Sequence, residues 1–343
     1  MKKRRFLALM AAGVMSIGML AGCGSGDTGS EGSAASTGGS DTDITLVMAT
    51  RDQWLSTLES AATKVANENG YNLTTQDAQN DMNKEIQFVE TARNAGQKAC
   101  IVNLVDSDAA SSIVDAAGDM NIVFVNRMPT DMSLLGDKVS CVTSDQYVSG
   151  YYQGEALAKY FKEKGKTEIK YVMLQGTLGM LQTTQRSQSV LDALEKNGIK
   201  ATEATAPLMC EWDRAKTMDK FGPIVTSGLE FDCIFANNDE MALGAIETLE
   251  NAGRNPADIP ICGIDCTVDG GKAVEKGSMY MTVYQNPIGQ GTAALQAAVN
   301  MINGDPLDQD TGYTVDDSGE DYSDHLILVP WEPVNADNVA DYM

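Results

Sequence analysis

Residues 231–253 read FDCIFANNDEMALGAIETLENAG, and this stretch decides the fold. The run FDCIFAN is short and apolar, which predicts a strand buried on both faces. From Glu240 onward the apolar residues fall at helical spacing, and Gly253 supplies a left-handed stop. Between the two elements lie Asn237, Asn238 and Asp239. In an open parallel sheet that is where ligands bind, just outside the carboxyl ends of the strands. One of Asn238 and Asp239 caps the helix. Contact with a ligand suits the same position, and both roles stay open.

The unit recurs in both directions along the chain. ITLVMA (44–49), YNLTTQD (71–77), ACIVNLV (99–105), NIVFVN (121–126), EIKYVML (168–174) and IPICGID (259–265) read as strands. LSTLESAATKVANENG (55–70), NKEIQFVETARNAG (83–96), SSIVDAAGDM (111–120), GYYQGEALAKYFKEKG (150–165) and SQSVLDALEKNG (187–198) read as helices. Apolar strands alternating with helices imply an α/β fold with parallel sheets covered on both faces. The body of about 300 residues exceeds what one such sheet needs, so two Rossmann-like lobes are expected.

The residues that follow each strand are chemically alike. Asp52 and Trp54 follow ITLVMAT, Asn103 and Asp106 close the third strand, and Asn126 and Arg127 close the fourth. Gln175 and Gly176, then Met180, Gln182 and Arg186, follow YVML; Asp265 follows PICGI, and Gln285 and Asn286 follow MTVY. Most are planar groups with two hydrogen-bonding positions. No G-x-G-x-x-G and no G-x-x-x-x-G-K follows a strand, so a phosphate cradle is not indicated. A polar site poor in cations, with an aromatic ring, suits a neutral polyhydroxylated molecule: amides and carboxylates pair its hydroxyls, and an indole covers its C–H face. Asp52 also suits a helix cap, and Trp54 and Trp212 also suit packing. Arg186 opens the SQSVLDALEKNG helix, where a cation opposes the helix dipole, so a specific partner is expected for it.

The N-terminus reads as an address. Residues 2–5 are KKRR, an apolar run FLALMAAGVMSIGML follows, and Leu20-Ala21-Gly22-Cys23 closes it, the pattern of a secretory signal. Residues 24–43 hold only Gly, Ser, Thr, Ala, Asp, Glu and the closing Asp-Thr-Asp, a composition that builds no core and predicts a tether. The whole chain carries −23, and without the four basic residues of the signal 48 acidic side chains stand against 21 basic, or −27. Nucleic acid is excluded as a partner on that charge. The one histidine, His325, lies in a polar stretch and reads as a surface or structural residue, which leaves no histidine-based triad or two-histidine metal site. Of the six cysteines after Cys23, Cys100, Cys233 and Cys262 sit inside apolar strands, so free buried thiols are expected for the set.

Together these features resemble the type I periplasmic sugar-binding proteins, the receptor components of ABC importers, and within them the glucose/galactose-binding branch. The resemblance runs from Ile44 to Met343 and rests on DQW (52–54), NLVD (103–106), TSDQYVSGYYQGE (143–155), the Arg186 helix, ANNDEMALGA (236–245), GIDCT (263–267) and VPWEPV (329–334). The L-A-G-C end of the signal resembles a lipobox, which implies lipidation at Cys23 and a protein anchored outside the cell membrane. By position, the resemblance implies that Trp54 and Trp212 sandwich a pyranose ring, while Asp52, Asn103, Arg186, Asn238 and Asp265 hold its hydroxyls. Arg127, near a crossing between lobes, is a further candidate, as in the ribose-binding branch. The implied lobes are 44–127 plus 287–320 and 128–286 plus 321–343, joined by a three-segment hinge. Met180 and Gln182 stand where the galactose-binding pattern has His and Asp, and Gln285 replaces an Asn. FKEKGKTEIK lacks the alternating Asp/Asn ligands of that family's calcium loop, so no metal and no cofactor is expected.

The implied function is capture of a monosaccharide, galactose- or glucose-like, by hinge closure, acting as a monomer that delivers to a membrane permease. A receptor that presents the sugar to a membrane sensor reads the same closed form. A glycosidase using Asp52 and Asp265 is the enzymatic rival; it lacks an activated nucleophile, and no enzyme activity is expected.

Overall fold

The computed structural model describes residues 42–343. The signal, the lipidation at Cys23 and nearly all of the tether lie outside the described residues. The chain begins with β1 (Asp43–Met48), α1 (Gln53–Asn69), β2 (Asn72–Asp77), α2 (Met82–Asn94), β3 (Ala99–Val102), α3 (Ala110–Ala117), β4 (Asn121–Val125) and β5 (Val139–Thr143). It then crosses into α4 (Gln146–Glu163), β6 (Glu168–Gln175), α5 (Leu181–Lys196), β7 (Lys200–Glu203), β8 (Leu208–Met209) and α6 (Arg214–Thr226). β9 (Cys233–Ala236), α7 (Asp239–Asn251), β10 (Ile261–Cys262), α8 (Val268–Lys276) and β11 (Met281–Gln285) follow. The chain returns through α9 (Pro287–Asn303) and β12 (Leu326–Leu328), and ends with β13 (Trp331–Asn335).

Two sheets result. The first has the order β12-β5-β4-β3-β1-β2, and all its pairs are parallel. The second runs β13-β11-β10-β9-β6-β7, with β8 also paired to β6 and only β13 antiparallel. The central strands are buried: Ile44, Leu46, Val47 and Met48 in β1 and Cys233, Ile234 and Ala236 in β9 are 0% exposed, while the edge strands β2 and β7 are half-buried to exposed. This double-sided burial is the reason the central strands read as unbroken apolar runs. In each sheet the order reverses once, between β1 and β3 and between β6 and β9, which makes a crevice at the carboxyl ends of those strands.

The sheets correct the expected lobe boundaries. β5 pairs with β4, Ile122 opposite Val139, and β12 pairs with β5, Leu326 opposite Cys141, so both belong to the first sheet. The crossings therefore fall at 144–145, at 286 and at 329–330 rather than at 127–128 and 320–321. The physical reason is the strand VSCVT, buried on both faces, which extends the first sheet beyond Asn126-Arg127. The helix bearing Arg186 also begins earlier than its apolar spacing indicates. α5 starts at Leu181, so Arg186 lies past its first turn and the helix-dipole argument does not apply to it. α4 and α5 pack closely enough that a Cβ on Gly150 would lie 2.2 Å from the Arg186 carbonyl oxygen. That approach requires glycine and sets the height of Arg186 over the second sheet.

Cys100, Cys141, Cys210, Cys233, Cys262 and Cys266 are free and buried. His325 directly precedes β12, at the opposite end of the sheet from the crevice. No helix among the described residues is long and apolar enough to cross a membrane.

Candidate functional site

The carboxyl ends of both sheets face one cleft. Asp52, Trp54, Leu55, Asn126 and Arg127 line it from the first lobe, and Gln182, Arg186, Trp212, Asn238, Asp265 and Gln285 from the second. The lobes touch across it. Trp54 Nε1 donates to the Gln285 carbonyl oxygen at 2.9 Å, and Gln182 Nε2 approaches the Asn126 carbonyl oxygen at 3.5 Å.

Several residues with two open roles fill both. Asp52 is the N-cap of α1, accepting from Leu55 N at 2.7 Å, and it lines the cleft. Asn238 caps α7, accepting from Met241 N at 3.0 Å, and lines the cleft too. A cap stands at the mouth of a strand–helix turn, where the crevice is, so one position serves both ends. Trp54 belongs to the first lobe's core and also lines the cleft. Trp212 sits in a turn whose residues Glu211 and Trp212 have φ of 53° and 65°.

Asn103 departs from expectation. It is fully buried, and its Nδ2 donates to the Val125 carbonyl oxygen at 3.1 Å and to Asn126 Oδ1 at 3.3 Å. It lies behind the wall that Asn126 forms. Asn126 reaches the cleft because its backbone turns left-handed, φ 65°, directly after β4. The sequence signal was a strand ending in Asn, a residue type that tolerates this conformation.

The electrostatics are balanced, with Asp52 and Asp265 against Arg127 and Arg186. Burial holds the Asp265 carboxyl well above its ordinary range, and Arg186, 4.0 Å away, opposes that shift. Burial likewise raises Asp52, against its bond from Leu55 N and the charge of Arg127. Burial lowers both guanidiniums, and the neighbouring carboxylates counter it. Asp265 occupies a strained backbone, φ 120°, in the loop after β10. Asp239 underneath fixes that loop: it accepts from Thr267 N at 2.8 Å and from Thr282 Oγ1 at 2.7 Å. Three polar atoms of cleft residues are buried with no hydrogen-bond partner among the described residues: Gln182 Oε1, Gln285 Nε2 and Trp212 Nε1. Buried polar atoms are rarely left so, and a polar ligand would satisfy them.

Glu85 of α2 supports the first-lobe wall. Its Oε1 accepts from Val105 N at 2.9 Å, and Oε2 has no partner among the described residues. Burial raises its pKa from 4.5 to about 7. Its protonated form is therefore favoured in the folded state, so its contribution to stability is full below 4.5 and is lost as pH rises to about 7. Glu85→Gln removes the ionisation. It is expected to gain about 3 kcal/mol relative to the parent between pH 5 and pH 8. Urea unfolding at both pH values checks this; an equal difference at both contradicts it.

Comparison with known proteins agrees with this architecture. The model of the periplasmic binding protein domain matches residues 44–306. A putative rhizopine-binding protein of Rhizobium meliloti is 31% identical over 275 residues, 80% of this chain and 82% of the relative. The ribose import binding protein of Salmonella typhimurium is 32% identical over 267 residues, 77% and 86% of the two chains. Among solved structures, an ABC transporter solute-binding protein from Bacillus halodurans with bound myo-inositol superposes with a TM-score of 0.73 at 28% identity, covering 90% of this chain and 99% of that one. The chain belongs to the periplasmic binding protein family, whose members bind solutes and are not enzymes.

Proposed function

We propose that this protein captures a compact neutral polyol ring between its two lobes, outside the cell membrane to which Cys23 anchors it, and delivers it to an ABC permease. The ring is a galactose- or glucose-like monosaccharide, or a cyclitol of the same size. The observation that carries the reading is the cleft itself. Both lobes supply its wall, opposite charges are matched in number, an indole comes from each side, and three buried polar atoms await partners. Asp265 offers two acceptors to neighbouring hydroxyls, and Trp54 and Trp212 suit the C–H faces. Myo-inositol in the Bacillus halodurans relative favours the cyclitol as the second candidate.

Closure follows from differential affinity. A ligand held by both lobes favours the form in which both reach it. The test is titration calorimetry with D-galactose, D-glucose, D-ribose and myo-inositol. Binding of at least one at micromolar level is expected, about −8 kcal/mol. No heat and no thermal shift with any of them would refute the reading.

A further inference from the structure

All three crossings between the lobes converge, at their second-lobe ends, on one guanidinium in the cleft. Arg186 Nε and Nη2 donate to Gln146 Oε1 at 2.9 and 2.7 Å, and Gln146 opens α4 directly after the first crossing. Nη2 also approaches Gln285 Oε1 at 3.4 Å, and Gln285 closes β11 at the second crossing. The guanidinium carbon lies 5.2 Å from the ring centre of Trp331, which opens β13 after the third. Trp331 Nε1 in turn donates to the Asp145 carbonyl oxygen at 2.6 Å, tying the third crossing to the first. Gln146 Nε2 donates to the Ser144 carbonyl oxygen at 2.8 Å, and Gln290 Nε2, from α9 of the first lobe, donates to Ser144 Oγ at 2.9 Å.

A guanidinium has five N–H donors. Four are directed at Gln146, Gln285 and the Asn237 carbonyl oxygen, the last at 2.7 Å from Nη1. One Nη1 proton remains, on the side of Asp265, 4.0 Å away. The fork is thus aimed by its protein partners so that a single donor faces the ligand space. Gln146 is the only one of these partners that holds it in two places. Gln146 is neutral, so it orients the guanidinium without cancelling the charge offered to Asp265 and to a ligand oxygen.

We propose that Gln146 is a positioning residue that aims Arg186 at the ligand and links that ligand contact to the hinge. The proposal rests on the polyol-binding reading for its second readout and stands without it for its first. The first readout is the Arg186 Nε–H resonance of the ligand-free protein. It is expected to be protected from solvent exchange in the parent and in Gln146→Glu, which keeps an acceptor, and to lose protection in Gln146→Leu. The second is calorimetry with whichever of D-galactose, D-glucose, D-ribose and myo-inositol binds the parent. Gln146→Leu is expected to weaken it at least tenfold and to reduce the ligand-induced contraction seen by small-angle scattering. Gln146→Glu, which keeps the acceptor but offsets part of the Arg186 charge, is expected to weaken it less than Gln146→Leu does. Protection retained in Gln146→Leu, or lost equally in both variants, overturns the positioning role; parental affinity and full contraction in Gln146→Leu overturn the link to the hinge. If the parent binds none of the four probes, the polyol reading fails while the exchange experiment still decides the position of Arg186.

Discussion

Asp265→Ala is expected to weaken ligand binding by about a thousandfold and to leave the ligand-free protein folded. Hydrogen bonds to a charged acceptor contribute roughly 1.5–3 kcal/mol each, so two from adjacent hydroxyls come to about 4 kcal/mol, or three decades in affinity. The carboxylate is suited to this because its one ionic partner, Arg186, is 4.0 Å away and leaves its oxygens open to hydroxyl donors. It accepts no hydrogen bond among the described residues. The loop does not depend on it either. Asp265 N donates to the Val283 carbonyl oxygen at 2.8 Å, and Asp239 clamps Thr267 from below. Burial already disfavours the ionised carboxylate, so its removal relieves a desolvation cost that offsets the loss of its charge beside Arg186. Thermal unfolding without ligand should show a cooperative transition with a midpoint close to the parent's, while calorimetry shows the loss. Parental affinity in Asp265→Ala would place the binding site elsewhere.

The strands were legible in the sequence wherever burial on both faces made an unbroken apolar run, as in 44–49, 121–126 and 231–237. The same property hid other elements. α9 is buried on almost every side and built from Ala and Gly, so it shows no polar face to mark its period. α6 contains Gly222 and Pro223, which read as breakers, yet the helix runs through them. Two of the three lobe boundaries were not legible, because the sequence did not show that β5 continues the first sheet past Arg127 and that β12 returns to pair with it. For the site, strand-end chemistry found most of the cleft wall, since the fold directs those ends to one crevice. It could not decide between Asn103 and Asn126. That choice depends on the left-handed turn at Asn126, a backbone fact with only a weak trace in residue type. Gln146 was missed for a related reason. It touches Arg186 across two helices, and its own neighbourhood reads only as the start of α4.

Gly176→Ala should lower affinity by about thirtyfold through Trp212 alone. A Cβ built on Gly176 lies 2.0 Å from Trp212 Cζ2 and 2.3 Å from Cε2 and Cη2, so the indole rests directly on this glycine. No rotation of a flexible chain relieves that contact, because the ring is rigid. Overpacking of this kind costs typically 1–3 kcal/mol, and the cheapest release is to push the ring off its seat. No hydrogen bond fixes the ring, since Nε1 has no partner among the described residues; it is held by packing on the second-lobe core and by the Arg186 guanidinium 5.8 Å from its centre. Trp212 also lines the cleft, so the displaced ring either enters the ligand's space or abandons its face. A loss of about 2 kcal/mol corresponds to the thirtyfold figure. A double-mutant cycle isolates the cause. In a Trp212→Ala background the added methyl meets no ring, so Gly176→Ala should change affinity by less than twofold there. Equal losses in both backgrounds would mean that Gly176 acts through the Gly176 N–H bond to Asn237 Oδ1, 3.2 Å long, and not through the indole.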